Sequence, residues 1–254
     1  MEPIRKPFQG VSNIIRFNWH FYTLSLLLIL SLVGLRIIVA HPYNFYLSLL
    51  AIFIGVSVFF SLLTSFYIYD LSTLYTLSWL DFIQDNLSQE IVTINAGFDE
   101  TSVLLQRKFQ TAHLHVFDFF NPDLHTEVSI KRARKAYPAY PNTQTIETSA
   151  IPLQNQTANY IFLILAAHEI RHDIERIHFF KELNRILKPS GKIIVVEHLR
   201  DTINFLAYNI GFLHFLSEAT WTSTFTKAEL SICRQLNVTP FITTFVLEKD
   251  GSAS

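Results

Sequence analysis

Two short runs of histidine, glutamate and arginine each follow a segment that is predicted to be a buried strand. The first run is His168-Glu169-Ile170-Arg171-His172, after residues 160–166, and the second is Glu197-His198-Leu199-Arg200-Asp201, after residues 192–196. The carboxyl ends of neighbouring parallel strands meet at one edge of a sheet, where ligands bind, so we expect the two runs to lie side by side. Such groups can take up a proton, stabilise charge or hold a substrate. The candidate catalytic residues are therefore His168, Glu169, Arg171, Glu197 and His198; the alternative is a buried ion-pair network that only positions the loops.

The first run also matches the zinc-protease motif His-Glu-x-x-His. On a helix, His168 and His172 would share a face and bind zinc, with Glu169 as the base. Arg171 and Asp173 occupy positions that are usually uncharged or apolar in such proteases. We therefore predict no metal site and keep a membrane zinc metalloprotease as an alternative. The single cysteine, Cys233, excludes an internal disulfide and a paired-cysteine metal site.

The charged residues are distributed unevenly along the chain. Of the 254 residues, 50% are hydrophobic and 16% charged, against about 25% charged in ordinary soluble domains. Two apolar runs, residues 21–40 and 45–68, contain Arg36 as their only charge and are separated by His41-Pro42-Tyr43-Asn44. About 20 residues of helix span the hydrocarbon core of a bilayer, which predicts a transmembrane hairpin over residues 21–68. A cleaved signal peptide, or two apolar helices in a soluble oligomer, are the alternatives.

Basic residues indicate the orientation of the hairpin. Arg5, Lys6 and Arg16 precede the first run, and the connecting turn has no lysine or arginine. By the positive-inside rule, residues 1–20 form a cytoplasmic segment and the soluble part lies in the cytoplasm, anchored to the cytoplasmic membrane. Residues 69–90 are a juxtamembrane linker, in which Asp70 or Ser72 would cap a short helix on the membrane surface. The net charge of −1 argues against nucleic acid as a partner, and the oligomeric state is not predicted.

Residues 91–254 read as an α/β domain in which strands and helices alternate. This alternation predicts a Rossmann-like parallel sheet with helices on both faces. The predicted strands are residues 91–94, 113–119, 143–147, 160–166, 192–196 and 241–247, and the predicted helices are 100–109, 126–136, 174–187, 203–216 and 226–236. Thr226, with Glu229 three residues later, would cap the last helix.

The order of these landmarks resembles a class I SAM-dependent methyltransferase of the type 11 group, particularly the quinone C-methyltransferases. The resemblance covers roughly residues 91–248. It is carried by Ala150-Ile151-Pro152-Leu153, by Ala158-Asn159-Tyr160-Ile161-Phe162, and by the helix stop Glu182-Leu183-Asn184-Arg185-Ile186-Leu187-Lys188-Pro189-Ser190-Gly191. The resemblance implies S-adenosyl-L-methionine (SAM) as the cofactor.

The resemblance also implies which residues hold SAM. The glycine-rich loop of the family corresponds to Asn95-Ala96-Gly97-Phe98-Asp99, which keeps only the middle glycine, and Thr93 replaces the acid of the first strand. Asp99 would pair with the cofactor amine or cap the next helix. Asp118 matches the acid that binds the ribose hydroxyls, with Phe119 beside it, and Glu147 and Thr148 match the adenine contacts.

These features predict methyl transfer from SAM to a hydrophobic or amphiphilic acceptor in the membrane, such as a quinone, pigment or lipid precursor. Residues 203–216 would form the apolar wall of the acceptor pocket, and a histidine or glutamate would take the acceptor proton. Arg132 or Arg134 would grip an anionic group, or simply be solvated. The departures in the glycine loop keep a further alternative open, a repurposed methyltransferase fold that serves as a membrane-tethered binding protein.

Overall fold

A computed structural model describes residues 5–84, 89–125 and 127–251. Its α-helices are α1 (Gln9–Phe17), α2 (Trp19–Ile38), α3 (Tyr43–Phe66), α4 (Ser102–Lys108), α5 (Val128–Ala136), α6 (Asp173–Ile186), α7 (Thr202–Tyr208) and α8 (Glu218–Lys227). Its strands are β1 (Glu90–Asn95), β2 (His113–Asp118), β3 (Gln144–Thr145), β4 (Ala158–Ile164), β5 (Leu187–Glu197), β6 (Leu230–Thr239) and β7 (Ile242–Lys249). Thr126 and residues 85–88, which belong to the predicted basic helix and the linker, lie outside the described residues.

The seven strands form one sheet in the order β3-β2-β1-β4-β5-β7-β6. The first five strands in this order pair in parallel, and β7 runs antiparallel to both β5 and β6. Helices cover both faces, so the predicted Rossmann-like class is confirmed, with an antiparallel hairpin as its final part. The parallel portion places the carboxyl ends of β1, β2, β4 and β5 at one edge.

The predicted helix over residues 226–236 is wrong. Helix α8 ends at Lys227, Glu229 adopts a left-handed φ of 59°, and β6 begins at Leu230. The cap of α8 is Ser217, whose hydroxyl accepts a hydrogen bond from the Thr220 N–H. Pairing along the whole length of β7 outweighs the local helical pattern here.

The linker is part of the domain core, which corrects the predicted surface helix. Helix α3 continues as a π-helical turn, Tyr67–Leu71, and a 3₁₀ turn follows at Ser78–Leu80. The apolar side chains of this stretch pack beneath the sheet with residues of β1, α4 and β5; they are Ile68, Leu74, Leu77, Leu80 and Ile83. The opposite face of the sheet is covered by α6 and α8, through Phe179, Phe180, Leu183, Trp221 and Phe225.

Helices α2 and α3 pack against each other as a hairpin. By length and composition, Trp19–Ile38 (20 residues) and Tyr43–Leu71 (29 residues) could each cross a membrane. Most of their large apolar side chains are exposed, among them Leu24, Leu28, Ile52, Phe53 and Phe59. The core helix of a soluble protein buries such side chains, whereas most of each of these two helices is not buried within the chain.

The N-terminal segment contains a helix that the sequence analysis did not predict. Asp70, at the end of the second apolar segment, accepts hydrogen bonds of 2.8 Å from the N–H groups of Gly10 and Val11 in the first turn of α1. Gly10 is needed for this approach, because a Cβ there would lie 2.3 Å from the Cβ of Tyr69. The predicted cap residue therefore caps a helix distant in sequence.

Candidate active site

The loop after β1 and the end of β2 lie side by side at the carboxyl edge of the sheet. Asn95 and Asp118 are register partners in the parallel pairing. The Asn95 side-chain oxygen accepts a hydrogen bond of 2.9 Å from the Gly97 N–H, and Gly97 has a φ of 92° that favours glycine. One carboxylate oxygen of Asp118 accepts a hydrogen bond of 2.8 Å from the Phe120 N–H. This arrangement puts Asp118 and Gly97, both predicted to hold SAM, in one place.

Arg134 of α5 lies across this place. Its guanidinium donates to the other carboxylate oxygen of Asp118 and lies 4.6 Å from the ring centroid of Phe120. A Cβ on Gly97 would fall 2.6 Å from the Arg134 Nη1 atom. The anion that Arg134 was predicted to grip is therefore the chain's own Asp118, and the guanidinium fills the space beside the loop.

The two carboxylate oxygens of Asp99 differ in their hydrogen bonding. Its Oδ1 accepts hydrogen bonds of 2.9 Å from the N–H groups of Thr101 and Ser102 at the start of α4. Its Oδ2 is buried and has no hydrogen-bond partner among the described residues. The capping role is present, and the free oxygen remains able to receive a donor such as an ammonium group.

The other predicted cofactor residues adjoin Asp118 along the chain and the sheet, since the Ile146 N–H donates to the Asp118 carbonyl at 2.9 Å. Phe119 is buried in the core, with its ring 5.4 Å from Phe179, and Phe120 is the aromatic residue next to Gly97. Glu147 is exposed, and the Thr148 hydroxyl donates to Glu175 at 2.8 Å. Their adenine contacts stay predictions.

A second group of polar side chains lies where β4 and β5 end, as expected from the two charged runs. His168 Nδ1 lies 2.6 Å from Glu197 Oε2, and its Nε2 lies 3.3 Å from Glu169 Oε1. His214, at the end of a 3₁₀ turn (Asn209–His214), lies with Nε2 3.5 Å from the same Glu169 oxygen and Nδ1 3.2 Å from Glu127 Oε1. We call His168, Glu169, His214, Glu197 and Glu127 the histidine–glutamate cluster.

Charge within the cluster is tightly coupled. Burial alone would lower the pKa of His168, but Glu197 and Glu169 outweigh it and raise that pKa to about 10. Burial alone would raise the pKa of Glu169, but the His168 and His214 imidazoles hold it well below its usual range. His168 is therefore protonated at neutral pH, and which histidine or glutamate takes the acceptor proton stays a prediction.

Arg171 and His198 border the cluster differently. Arg171 donates to the His214 carbonyl, and its Nη2 lies 2.7 Å from His214 Nε2. His198 is directed elsewhere: its Nδ1 lies 3.0 Å from the Phe241 carbonyl oxygen, so this nitrogen must carry the proton. Its Nε2 lies 2.9 Å from the Tyr69 hydroxyl, which donates to it. Burial lowers the pKa of His198 to about 4, so its ring is neutral.

The zinc-protease alternative does not fit this geometry. The motif requires two histidines on one helix, but His168 belongs to a 3₁₀ turn, Ala167–Glu169, and His172 precedes α6 and is exposed.

Arg176 is a buried polar residue that was not predicted from the sequence. It donates to the Ile170 carbonyl at 3.0 Å and to the Thr224 hydroxyl at 3.1 Å. Its place beside Phe179 and Phe180 on the apolar face of α6 was the available signal.

Solved structures share this fold. A SAM-dependent methyltransferase from Methanosarcina mazei is 15% identical, with a TM-score of 0.50 over 68% of this chain and 96% of that one. The chain has the SAM-dependent methyltransferase fold. A Pyrococcus horikoshii protein is 15% identical, with a TM-score of 0.50 over 70% of this chain and 89% of that one. A SAM-dependent methyltransferase from Aquifex aeolicus is 14% identical, with a TM-score of 0.49 over 71% and 94%.

Comparison of the sequence alone finds no relative. No protein-family model matches the chain, and no curated protein is significantly similar to it.

Proposed function

We propose that this protein is a membrane-anchored SAM-dependent methyltransferase that acts on a hydrophobic or amphiphilic acceptor. The observation that carries the proposal is the placement of Asp118 and Gly97 at adjacent carboxyl ends of β2 and β1 in this fold. Asp118 offers a carboxylate to a ribose diol, and the Gly97 backbone allows close approach of a ligand. The buried free oxygen of Asp99 suits the amino group of the cofactor.

Bound SAM would supply an electrophilic methyl group. Before SAM binds, Arg134 must leave Asp118, because the guanidinium and the ribose hydroxyls of SAM would compete for the same carboxylate oxygen. The Arg134 side chain is 39% exposed and belongs to a long, flexible residue, so rotation toward solvent is a modest change. In this proposal Arg134 closes the cofactor site of the free protein.

The acceptor would enter from the bilayer side. Helix α7 packs on α3, and the segment from Thr202 to His214 exposes several large apolar side chains: Ile203, Phe205, Leu206, Ile210 and Leu213. Ile210 is 80% exposed, which is typical of residues that contact lipid or an apolar ligand. Because this segment ends at His214, it joins the membrane hairpin to the histidine–glutamate cluster.

The cluster would then stabilise charge on the acceptor. A cationic His168 cannot accept a proton, so a glutamate of the cluster would take the acceptor's proton, and the positive charge of His168 would favour the resulting oxyanion or carbanion. Transfer of the methyl group to that nucleophile would release S-adenosylhomocysteine. Alignment of that nucleophile with the methyl carbon supplies the remainder of the catalysis. Quinones, phenolic pigments and lipid precursors are acceptors of this chemical class.

Calorimetry with SAM and S-adenosylhomocysteine on the detergent-purified full chain tests the proposal. We expect micromolar binding by the wild type, loss of binding in Asp118→Ala, and several-fold tighter binding in Arg134→Ala, since the ligand no longer displaces a guanidinium. Arg107→Ala removes an exposed arginine of α4 and should bind as the wild type does.

A repurposed fold is the second candidate, and the Asp118–Arg134 ion pair favours it. If neither the wild type nor Arg134→Ala binds either ligand, although both are well folded, the methyltransferase proposal fails. The ion pair would then be a permanent part of a membrane-tethered binding protein.

A further inference from the structure

We propose that His168, Glu169 and His214 bind a divalent transition-metal ion, with Zn²⁺ as its simplest occupant. The ligand atoms would be the Nε2 atoms of the two histidines and one carboxylate oxygen of Glu169, which all lie within 4.8 Å of one another. The site concerns these side chains alone and does not depend on whether the chain binds SAM.

The distances inside the cluster suit a shared ion better than direct hydrogen bonds. Glu169 Oε1 lies 3.3 Å from His168 Nε2 and 3.5 Å from His214 Nε2. Charge-assisted N–H···O bonds are about 2.7–2.9 Å long. Two ligand atoms that each lie about 2.0–2.1 Å from a tetrahedral zinc ion are roughly 3.3–3.4 Å apart. Both histidine–glutamate distances are therefore already close to the ligand spacing of a zinc coordination shell.

Each histidine is oriented by a second carboxylate. Glu197 lies 2.6 Å from His168 Nδ1 and also accepts the His168 backbone N–H at 3.2 Å. Glu127 lies 3.2 Å from His214 Nδ1. A carboxylate that accepts the Nδ1 proton fixes the tautomer and directs the Nε2 lone pair at the metal, as is usual for metal-binding histidines.

The charges of the cluster call for a divalent cation. With neutral imidazoles, the carboxylates of Glu127, Glu169 and Glu197 outnumber the one guanidinium, Arg171, by two. Glu169 is only 4% exposed and Glu197 is fully buried, and buried charges must be paired or must coordinate a metal. One divalent ion would balance this excess of two negative charges.

Arg171 must move slightly when the ion binds. Its Nη2 now contacts His214 Nδ1 and lies 2.7 Å from His214 Nε2, so the guanidinium must leave both nitrogens before Nδ1 can donate to Glu127 and Nε2 can face the metal. Glu127 Oε1 lies 4.0 Å from the same Nη2, so a small shift of the guanidinium forms a closer ion pair and frees the histidine.

The donor set indicates the class of metal. Two imidazoles and one carboxylate suit Zn²⁺, Fe²⁺ or Co²⁺ rather than Ca²⁺ or Mg²⁺. Three protein ligands leave at least one position for water or a substrate oxygen, as in catalytic rather than structural zinc sites. This set uses His214, whereas the linear His-Glu-x-x-His motif would use His172.

Zinc titration of the chelator-stripped, detergent-purified full chain tests the site. We expect one Zn²⁺ per chain by calorimetry, and a visible absorption band when Co²⁺ is used instead. Affinity should fall roughly 100-fold or more in His214→Ala and in Glu169→Gln. Glu197→Gln, which changes only the orienting carboxylate, should lose about 10- to 100-fold.

His172→Ala and His113→Ala are the matched controls. His172 completes the linear motif, and His113 belongs to a different group on the opposite edge of the sheet, with Glu90 and His115. Both variants should bind zinc as the wild type does. Stoichiometric binding that survives in His214→Ala but is lost in either control would overturn the proposal, as would no binding by folded wild type. Because His214 is on a partly exposed turn, its variant should fold, which circular dichroism verifies.

Discussion

His168 and His198 follow neighbouring strands, yet their surroundings give the two rings opposite charge. His168 faces Glu197 and Glu169 and is cationic, whereas His198 faces the Phe241 carbonyl and the Tyr69 hydroxyl and is neutral. Consecutive residues of a strand point to opposite faces of the sheet, which separates Glu197 from His198. The sequence placed both histidines at the correct edge, but it could not assign their faces without the strand register.

The neutral state of His198 makes stability depend on pH. The unfolded chain protonates a histidine at about pH 6.5, and the folded chain protonates His198 only at about pH 4. The contribution of neutral His198 to the free energy of unfolding is therefore complete above about pH 6.5. As the pH falls toward 4, this contribution is lost, which lowers the free energy of unfolding by on the order of 3 kcal/mol. Thermal melting at about pH 7 and about pH 5 should show a smaller drop for His198→Gln than for the wild type. Equal drops would exclude this residue as the source.

For Asp118, the sequence predicted the position but not the partner. Its position at the end of β2 followed from the strand pattern, and the structure places it there. Its partner Arg134 was one of several basic residues on a predicted helix, and only the packing of α5 over the Gly97 loop selects it. The place of Asp118 at the carboxyl edge of the sheet could therefore be predicted from the sequence, but its ion pair with Arg134 could not.

At the scale of elements, α1 is held over the Gly97 loop by contacts from distant parts of the chain. Arg5 pairs with Glu100 at 2.7 Å, Tyr137 donates to Asn13 at 2.8 Å, and the Phe17 ring packs edge-on against Phe98 at 5.5 Å. Asp70 caps the helix from the end of the second apolar segment. No local capping residue marks α1, which explains why the sequence did not reveal it.

Removing the cap tests this arrangement. Asp70→Ala leaves two N–H groups of α1 without their acceptor and should destabilise the protein by about 1–2 kcal/mol. Hydrogen exchange should become faster in Gln9–Phe17. Asp81→Ala is the matched control, because Asp81 is 72% exposed and its carboxylate pairs with Lys108 on the surface; it should cost less than about 1 kcal/mol. Equal effects of the two substitutions would show that Asp70 does not cap α1.

The strands and helices that were predicted correctly have strong local signals. β1, β2, β4 and the core of β5 are apolar runs bounded by turns, and α6 has a regular apolar face. The errors arose where tertiary contacts decide: β6 is a strand because it pairs with β7, and α7 gives way to a 3₁₀ turn after Tyr208.

At the scale of the whole molecule, the predicted membrane orientation can be measured with thiol labelling. The chain has one cysteine, Cys233, which is exposed in the soluble domain. In intact cells an impermeant maleimide should not label Cys233, and it should label Asn44→Cys in a Cys233→Ser background, because the predicted orientation puts the turn between α2 and α3 outside the cell. Labelling of Cys233 in intact cells would show that the orientation is the opposite of the predicted one.

The buried end of the hairpin has a practical consequence for solubility. Ile68, Leu74, Leu77 and Leu80 belong to one core cluster with Ile91, Ile194 and Val196 of the sheet, so the end of the hairpin and the domain share one core. A chain that begins after Leu71 would lose Ile68 and the hydroxyl of Tyr69 and expose an apolar surface to water. Such a truncated protein should self-associate, and assays of catalysis and metal binding therefore require the intact chain in detergent or lipid.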